Sequence, residues 1–172
     1  MDYYPHKYET TVERFGVGKT KVLWYTVVFL PDEIRSDLPF DRYPRLRVEG
    51  EIEEVPIANA FMPTGDGRYY LIVSPKVLKD AEVEVGDVVR IRFRVADQNH
   101  VEVPPALQRA INVDHQVAKA WDTLTPGRKR MLAQHVMSAK TPKTQTKRLN
   151  EALEALIEHK ADLREWRRSK RN

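Results

Sequence analysis

About seven short runs of β-forming residues crowd into the first 100 or so positions, and nothing between them is long enough to be a crossover helix. Parallel strands need a crossover of a dozen residues or more, so a parallel α/β sheet is excluded and the strands must pair antiparallel. Tyr8 to Phe15 reads as the first run, and Lys21 to Leu30, rich in Val, Tyr, Trp and Phe, as the second. The second run carries apolar residues on both faces, which predicts burial on both sides. Pro31 ends it, and Pro31-Asp32-Glu33-Ile34 starts one helical turn. Leu46 to Ile52 alternates, with Leu46, Val48 and Ile52 on one face and Arg47, Glu49, Glu51 and Glu53 on or near the other. Val55 to Met62 follows. Gly65-Asp66-Gly67 tolerates positive φ and marks a hairpin, from which Arg68 to Ser74 runs back. A helical turn is expected at Pro75 to Lys79. Gly86-Asp87 then opens a strand with Val89, Ile91, Phe93 and Val95 on one face and Arg90, Arg92 and Arg94 on the other. Val101 to Val103 reads as a last short strand. Closing such strands removes exposed edges, so a small antiparallel β-barrel is expected over residues 1–104.

After Pro104-Pro105 the apolar spacing changes from two to that of a helix. Pro105 suits a first helical turn and leads into Ala106, Leu107, Ala110 and Ile111. Val113 to Trp121 is a second helical stretch. Thr125-Pro126 and Thr141-Pro142 each place an N-capping hydroxyl before a proline, so helices should begin at both. The first should reach about Lys140, with Leu132, Val136 and Ala139 as its stripe. The second carries Leu149, Leu153, Leu156, Ile157 and Leu163, and its spacing extends to Trp166. Arg167 to Asn172 have little to bury and should fray. The fold class is therefore α+β: a small antiparallel β-barrel over 1–104, then a helical module over 105–172.

Charge divides the chain at the same place. Residues 1–100 hold 14 Lys and Arg against 17 Asp and Glu, whereas residues 101–172 hold 15 against 8. There is no cysteine, which excludes disulfides, thiolate metal sites and a cysteine nucleophile. The longest strongly apolar run, Val22 to Leu30, is far short of the ~20 residues of a membrane helix. The N-terminus lacks the basic-then-apolar layout of a signal peptide, so a cytoplasmic location is expected.

Several short motifs then fall in a familiar order. Thr125-Pro126, Ser138-Ala139-Lys140-Thr141 and Thr144-x-Thr146-x-Arg148 lie within Leu124 to Leu156. This stretch resembles the helical module of the YdeI/OmpD-associated, or bacteriocin-protection, family. There an Ala-Lys pair leads to a Thr-Arg-x-x-Arg segment and an amphipathic helix. Here Gln145 follows Thr144, and the basic pair is Lys147-Arg148. Upstream, Leu46 to Ile52, Gly65 to Val73, Gly86-Asp87-Val88-Val89 and Val101-Glu102-Val103-Pro104 resemble the small β-barrel domain of unknown function that commonly precedes this module. The resemblance covers roughly residues 10–160. It implies a fold, a link to surviving antimicrobial peptides, and no catalytic residues.

Chemical motifs are sparse. Gly16-Val17-Gly18-Lys19-Thr20 lacks the P-loop's first glycine, since position 13 is Glu13, and a strand rather than a helix follows; it reads as a hairpin turn. Arg90, Arg92 and Arg94 stand ~6.8 Å apart on one strand face. They are expected to pair with Glu49, Glu51 and Glu53 across the sheet. His6, His100, His115, His135 and His159 show no metal spacing, and no serine lies in Gly-x-Ser-x-Gly, so no metal, cofactor or catalytic set is assigned. The best small-ligand constellation is Asn59, Arg68, Tyr69 and Tyr70, where an amide, a guanidinium and aromatic rings at a barrel rim could hold a carboxylate or phosphate. Arg164, Arg167 and Arg168 form a basic surface near the C-terminus. The expected function is a non-catalytic binding or stress-tolerance protein whose partner is a small anionic ligand or a protein. Nonspecific nucleic-acid binding through the basic half and an enzyme of unrecognised type at the barrel rim stand as alternatives. Nucleic acid is disfavoured as a partner, because acidic residues are interspersed in the basic helix, and no membrane insertion is expected.

Overall fold

A computed structural model describes residues 2–160 and 162–171, in two compact units, 1–98 and 99–172. The first unit contains β1 (His6–Thr11), β2 (Glu13–Val17), β3 (Leu23–Phe29), α1 (Asp32–Arg35), β4 (Leu46–Ile52), β5 (Val55–Pro63), β6 (Tyr69–Ile72), α2 (Pro75–Asp80) and β7 (Val88–Val95). All pairings are antiparallel, in the order β1-β7-β4-β5-β6-β3-β2, and the sheet curls into a half-barrel.

The two edges of this sheet are consecutive pieces of one chain segment. The expected single strand Tyr8 to Phe15 is broken at Val12: the piece before it pairs with β7 and the piece after it with β3. Val12 sits in the corner, buried in the core, donating its amide to Asp87 O at 2.8 Å and accepting at its carbonyl from Gly86 N at 2.8 Å. Edge strands with unpaired backbone invite aggregation, and the bend lets one segment cover both β7 and β3, leaving only its own two short pieces at the edges.

The alternation in β4 and β7 is realised as read. Leu46, Val48 and Ile52, with Val89, Ile91 and Phe93, are buried and join Val28, Phe61 and Leu71 in the core. The expectation for β3 is corrected. Val27 and Val28 are buried, but Leu23 and Trp24 are exposed, because that end of the β2–β3 ribbon extends beyond the strand that covers its other end. The strand expected at Val101 to Val103 does not form, and that stretch has no regular structure.

The second unit contains α3 (Pro105–Val113), α4 (His115–Asp122), α5 (Pro126–Met137), α6 (Pro142–Ile157) and α7 (Leu163–Ser169). Thr125 and Thr141 cap α5 and α6 by accepting from Arg128 N and Thr144 N. Asp114 does the same for α4, which is why the chain breaks there. The helix expected to run to Trp166 ends instead at Ile157. His159 turns the chain with φ 56°, and Asp162 caps a separate α7. Trp166 is buried and so anchors α7, which holds Arg167 to Ser169 in helix; Asn172 lies outside the described residues. The unit has its own apolar cluster, in which Leu107, Trp121, Leu132, Val136, Leu156 and Trp166 take part.

The closest backbone approach is at Gly50. A Cβ placed there would lie 2.1 Å from Arg92 O and 2.7 Å from Phe93 Cβ. Backbone cannot give way as a flexible side chain would. Gly50→Ala should therefore destabilise the protein by about 2–3 kcal/mol, as overpacking of a tight site does. Urea unfolding checks it: the expected result is a lower midpoint with an unchanged slope.

Candidate functional site

The four residues of the expected rim site are placed in three environments. Asn59 Nδ2 donates to Ile72 O at 2.7 Å, and its Oδ1 accepts from Ala60 N at 2.8 Å. It thus takes up a backbone group beyond the two pairs by which β5 and β6 meet, Met62 with Tyr70 and Pro63 with Tyr69. Tyr69 stacks on Phe40, with ring centroids 3.7 Å apart, and packs against the core. Tyr70 lies on the opposite face, against Phe15 at 5.2 Å. Arg68 joins Tyr70 there, its guanidinium 4.8 Å from the Phe29 ring, while also gripping Asp66 through Nε and Nη2. That guanidinium, with Thr64 and the Arg68 amide, holds the Asp66 carboxyl well below the usual carboxylate range. Arg68 and Tyr70 are brought together; Tyr69 and Asn59 are engaged elsewhere.

The expected charge ladder forms in register. Arg94 meets Glu49 at 2.8 Å, Arg92 binds Glu51, and Arg90 Nη2 lies 3.5 Å from Glu53. Beside its Arg90 end a cleft of about 420 Å³ opens, lined by residues 7–9 of β1, by Glu51, Glu53 and Glu54 of β4 and the following turn, and by residues 90–92 of β7. That volume lies within the ~300–1,000 Å³ of small-ligand sites.

Within this cleft the pairing is uneven. Arg90 and Arg92 are engaged by Glu53 and Glu51, and Lys7 by Asp2. Glu9 and Glu54, both exposed, have no ion-pair partner among the described residues. The Tyr8 ring turns to the other face of β1, against Phe93 in the core, where its hydroxyl is buried with no hydrogen-bond partner among the described residues and burial pushes its phenol pKa up. The β4–β5 turn adds strain. Glu53 and Glu54 have φ of 44° and 68°, a left-handed conformation that Asn and Gly adopt readily and a glutamate adopts at a cost. Strained backbone of this kind clusters at functional sites. Single-chain motifs could not reveal the cleft, because its walls come from three distant segments.

In the helical unit, His135 Nε2 lies 2.8 Å from Glu151 Oε2, and Arg167 reaches the same oxygen at 3.2 Å. Arg148 Nη1 donates to His135 O at 3.2 Å and to Ser138 Oγ at 2.7 Å, tying α6 to the end of α5. Of the expected basic surface, Arg167 is thus committed to Glu151, while Arg164 and Arg168 are exposed. Lys170 is likewise paired with Glu158. No cluster of three or more His, Asp or Glu positioned for a metal occurs among the described residues.

Residues 8–93 match the family model described as a domain of unknown function, DUF1905, and residues 100–159 match the one described as Bacteriocin-protection, YdeI or OmpD-Associated. No curated protein matches the chain.

Glu151 lies inside the second match and makes the helical unit acid-sensitive. Burial alone would raise its pKa, but the bonds from His135 and Arg167 outweigh that and hold it below the ordinary 4.5. A carboxyl depressed in the folded state stabilises above its unfolded pKa, and that stability disappears as pH falls through the folded value. Unfolding followed by circular dichroism should therefore show a loss that begins near pH 4.5 and grows below it. Glu151→Gln should remove this component and cost about 1–2 kcal/mol at neutral pH, the scale of a hydrogen bond to a charged group.

Proposed function

The chain belongs to the family in which a DUF1905 domain precedes a bacteriocin-protection, YdeI or OmpD-associated region, and we propose that it is a non-catalytic binding protein whose β unit takes up lysine-bearing segments of cationic peptides. The observation that carries this reading is the β1–β4–β7 cleft. It holds two exposed carboxylates without ion pairs, Glu9 and Glu54. A lysine ammonium has three donors and no acceptor, and two carboxylates supply four acceptor oxygens. The lining carries four carboxylates, Glu9, Glu51, Glu53 and Glu54, against three cations, Lys7, Arg90 and Arg92, so its charge favours an incoming cation. The family description, bacteriocin protection, agrees with capture of a peptide by such a site. This differs from the small anionic ligand that the residue types around Arg68 suggest, because Arg68 is already committed to Asp66.

Calorimetric titration with a lysine-rich peptide tests the reading. Binding should weaken about tenfold or more in Glu9→Gln/Glu54→Gln, the scale of lost charge-assisted hydrogen bonds. An acidic peptide should not bind. Undiminished affinity in the double variant, or preference for the acidic peptide, would contradict the proposal.

The same site predicts a conflict between stability and binding. Glu54→Gly relieves a left-handed glutamate and should stabilise by about 1 kcal/mol while weakening peptide binding. Tyr8→Phe removes a hydroxyl buried without a partner on the core side of β1, and should also stabilise by about 1 kcal/mol while leaving binding unchanged. Thermal unfolding alongside calorimetry reads both effects.

A further inference from the structure

The β2–β3 hairpin carries a feature that the peptide cleft does not use. Three consecutive apolar residues, Val22, Leu23 and Trp24, are 48%, 49% and 61% exposed. They stand beside the turn Gly18-Lys19-Thr20-Lys21, and residues 16–24 contain two lysines and no acid. The tip is a built structure. Gly18 has φ +125°, and a Cβ there would lie 2.2 Å from Lys21 O, so only glycine closes this turn. Gly16 faces Trp24 across the ribbon, and a Cβ there would meet Val22 Cγ1 at 2.7 Å and the indole at 3.3 Å. The glycine lets the ring and Val22 lie against the strand, so the indole is held in place while remaining exposed.

The distribution over the two faces identifies the occupant. In register, Leu23 lies opposite Val17 and Trp24 opposite Gly16, so apolar side chains emerge on both sides of the ribbon end. A flat protein surface would cover one face of the ribbon and leave the other in water. A single-stranded nucleic acid stacks successive bases on several rings, and this tip has one, Trp24, among the aliphatic Val22 and Leu23. A bilayer interface surrounds a tip from all sides, accepts an indole at headgroup level, and lets lysine stems lie along apolar surface with the ammonium among the phosphates. Each lysine near an anionic surface adds about fivefold to partitioning. We infer that the β2–β3 tip docks peripherally on an anionic phospholipid surface, with Trp24 as its anchor and Lys19 and Lys21 as its charge contacts. No helix among the described residues is long and apolar enough to cross a membrane, so the contact is interfacial. The inference adds a headgroup contact to the expectation of no membrane insertion.

Tryptophan fluorescence of the intact protein tests it. Of the three tryptophans, Trp121 and Trp166 are buried, so Trp24 is the one that a surface reaches. Vesicles of phosphatidylglycerol and phosphatidylcholine should shift its emission to the blue and sediment the protein; pure phosphatidylcholine should bind far less. Trp24→Ala should abolish the shift and lower sedimentation at least tenfold, with an unchanged far-ultraviolet spectrum. Lys19→Gln and Lys21→Gln should each lower it about fivefold on the anionic vesicles alone. Glu9→Gln/Glu54→Gln should bind vesicles as the parent does, which separates this test from that of the peptide cleft. The inference is overturned by an absence of sedimentation on anionic vesicles, by equal binding to neutral ones, or by an oligonucleotide quenching Trp24 where vesicles leave it unchanged.

Discussion

Between β4 and β7 the backbones approach so closely at Gly50 that Arg92 O and Phe93 occupy the space a side chain would need. This contact, more than the charge ladder beside it, permits only one register. A slip by one residue would turn Glu49 and Glu51 into the core, which alternation alone forbids. A slip by two keeps the faces correct and would preserve two of the three Arg–Glu pairs. It would, however, set Val48 or Ile52 against Phe93 where only glycine fits. The exposed pairs contribute ~0.2–1 kcal/mol each, so they reinforce a register that steric exclusion has already chosen.

The cleft depends on that register. With Arg92 opposite Glu51 and Arg90 beside Glu53, the sheet's cations are consumed by its own carboxylates, and Glu9 and Glu54 stand without ion pairs. The turn that presents Glu54 does so in a conformation that asparagine or glycine would adopt more easily. That departure from the easiest turn is understandable if a ligand supplies a contact there, and with the two carboxylates without ion pairs it is the physical basis of the peptide-binding proposal.

Much of this architecture was legible in the sequence because it depends on local period and capping. Alternation in Leu46 to Ile52 and Val88 to Val95 set the faces and foretold the Arg–Glu partners, and Thr125-Pro126 and Thr141-Pro142 marked two helix starts. The bend at Val12 was not legible: no glycine or proline marks it, and it exists because one segment must meet two strands. The break after Ile157 carried one overlooked signal, Asp162 as an N-cap; the turn itself rests on a histidine with positive φ. For the site, strand period already implied that Tyr69 and Tyr70 point oppositely, so the four-residue constellation asked adjacent residues to share a face. The cleft was hidden for another reason. Glu9 and Glu54 acquire meaning only when β1, β7 and the β4–β5 turn, far apart in sequence, are brought together.

Because the chain has no cysteine, an engineered pair reports register without background. Glu49 and Arg94 face each other across β4 and β7 and lie outside the cleft lining. Oxidation of the Glu49→Cys/Arg94→Cys protein should form an intrachain disulfide, since facing residues fall within the ~4.4–6.8 Å Cα separation that a disulfide spans. Its affinity for the lysine-rich peptide should be unchanged. The pair shifted by two, Glu51→Cys/Arg94→Cys, should stay reduced under the same conditions. Rapid crosslinking of the shifted pair, or loss of peptide binding on locking the facing one, would contradict the claim that a single register builds both the sheet and its site.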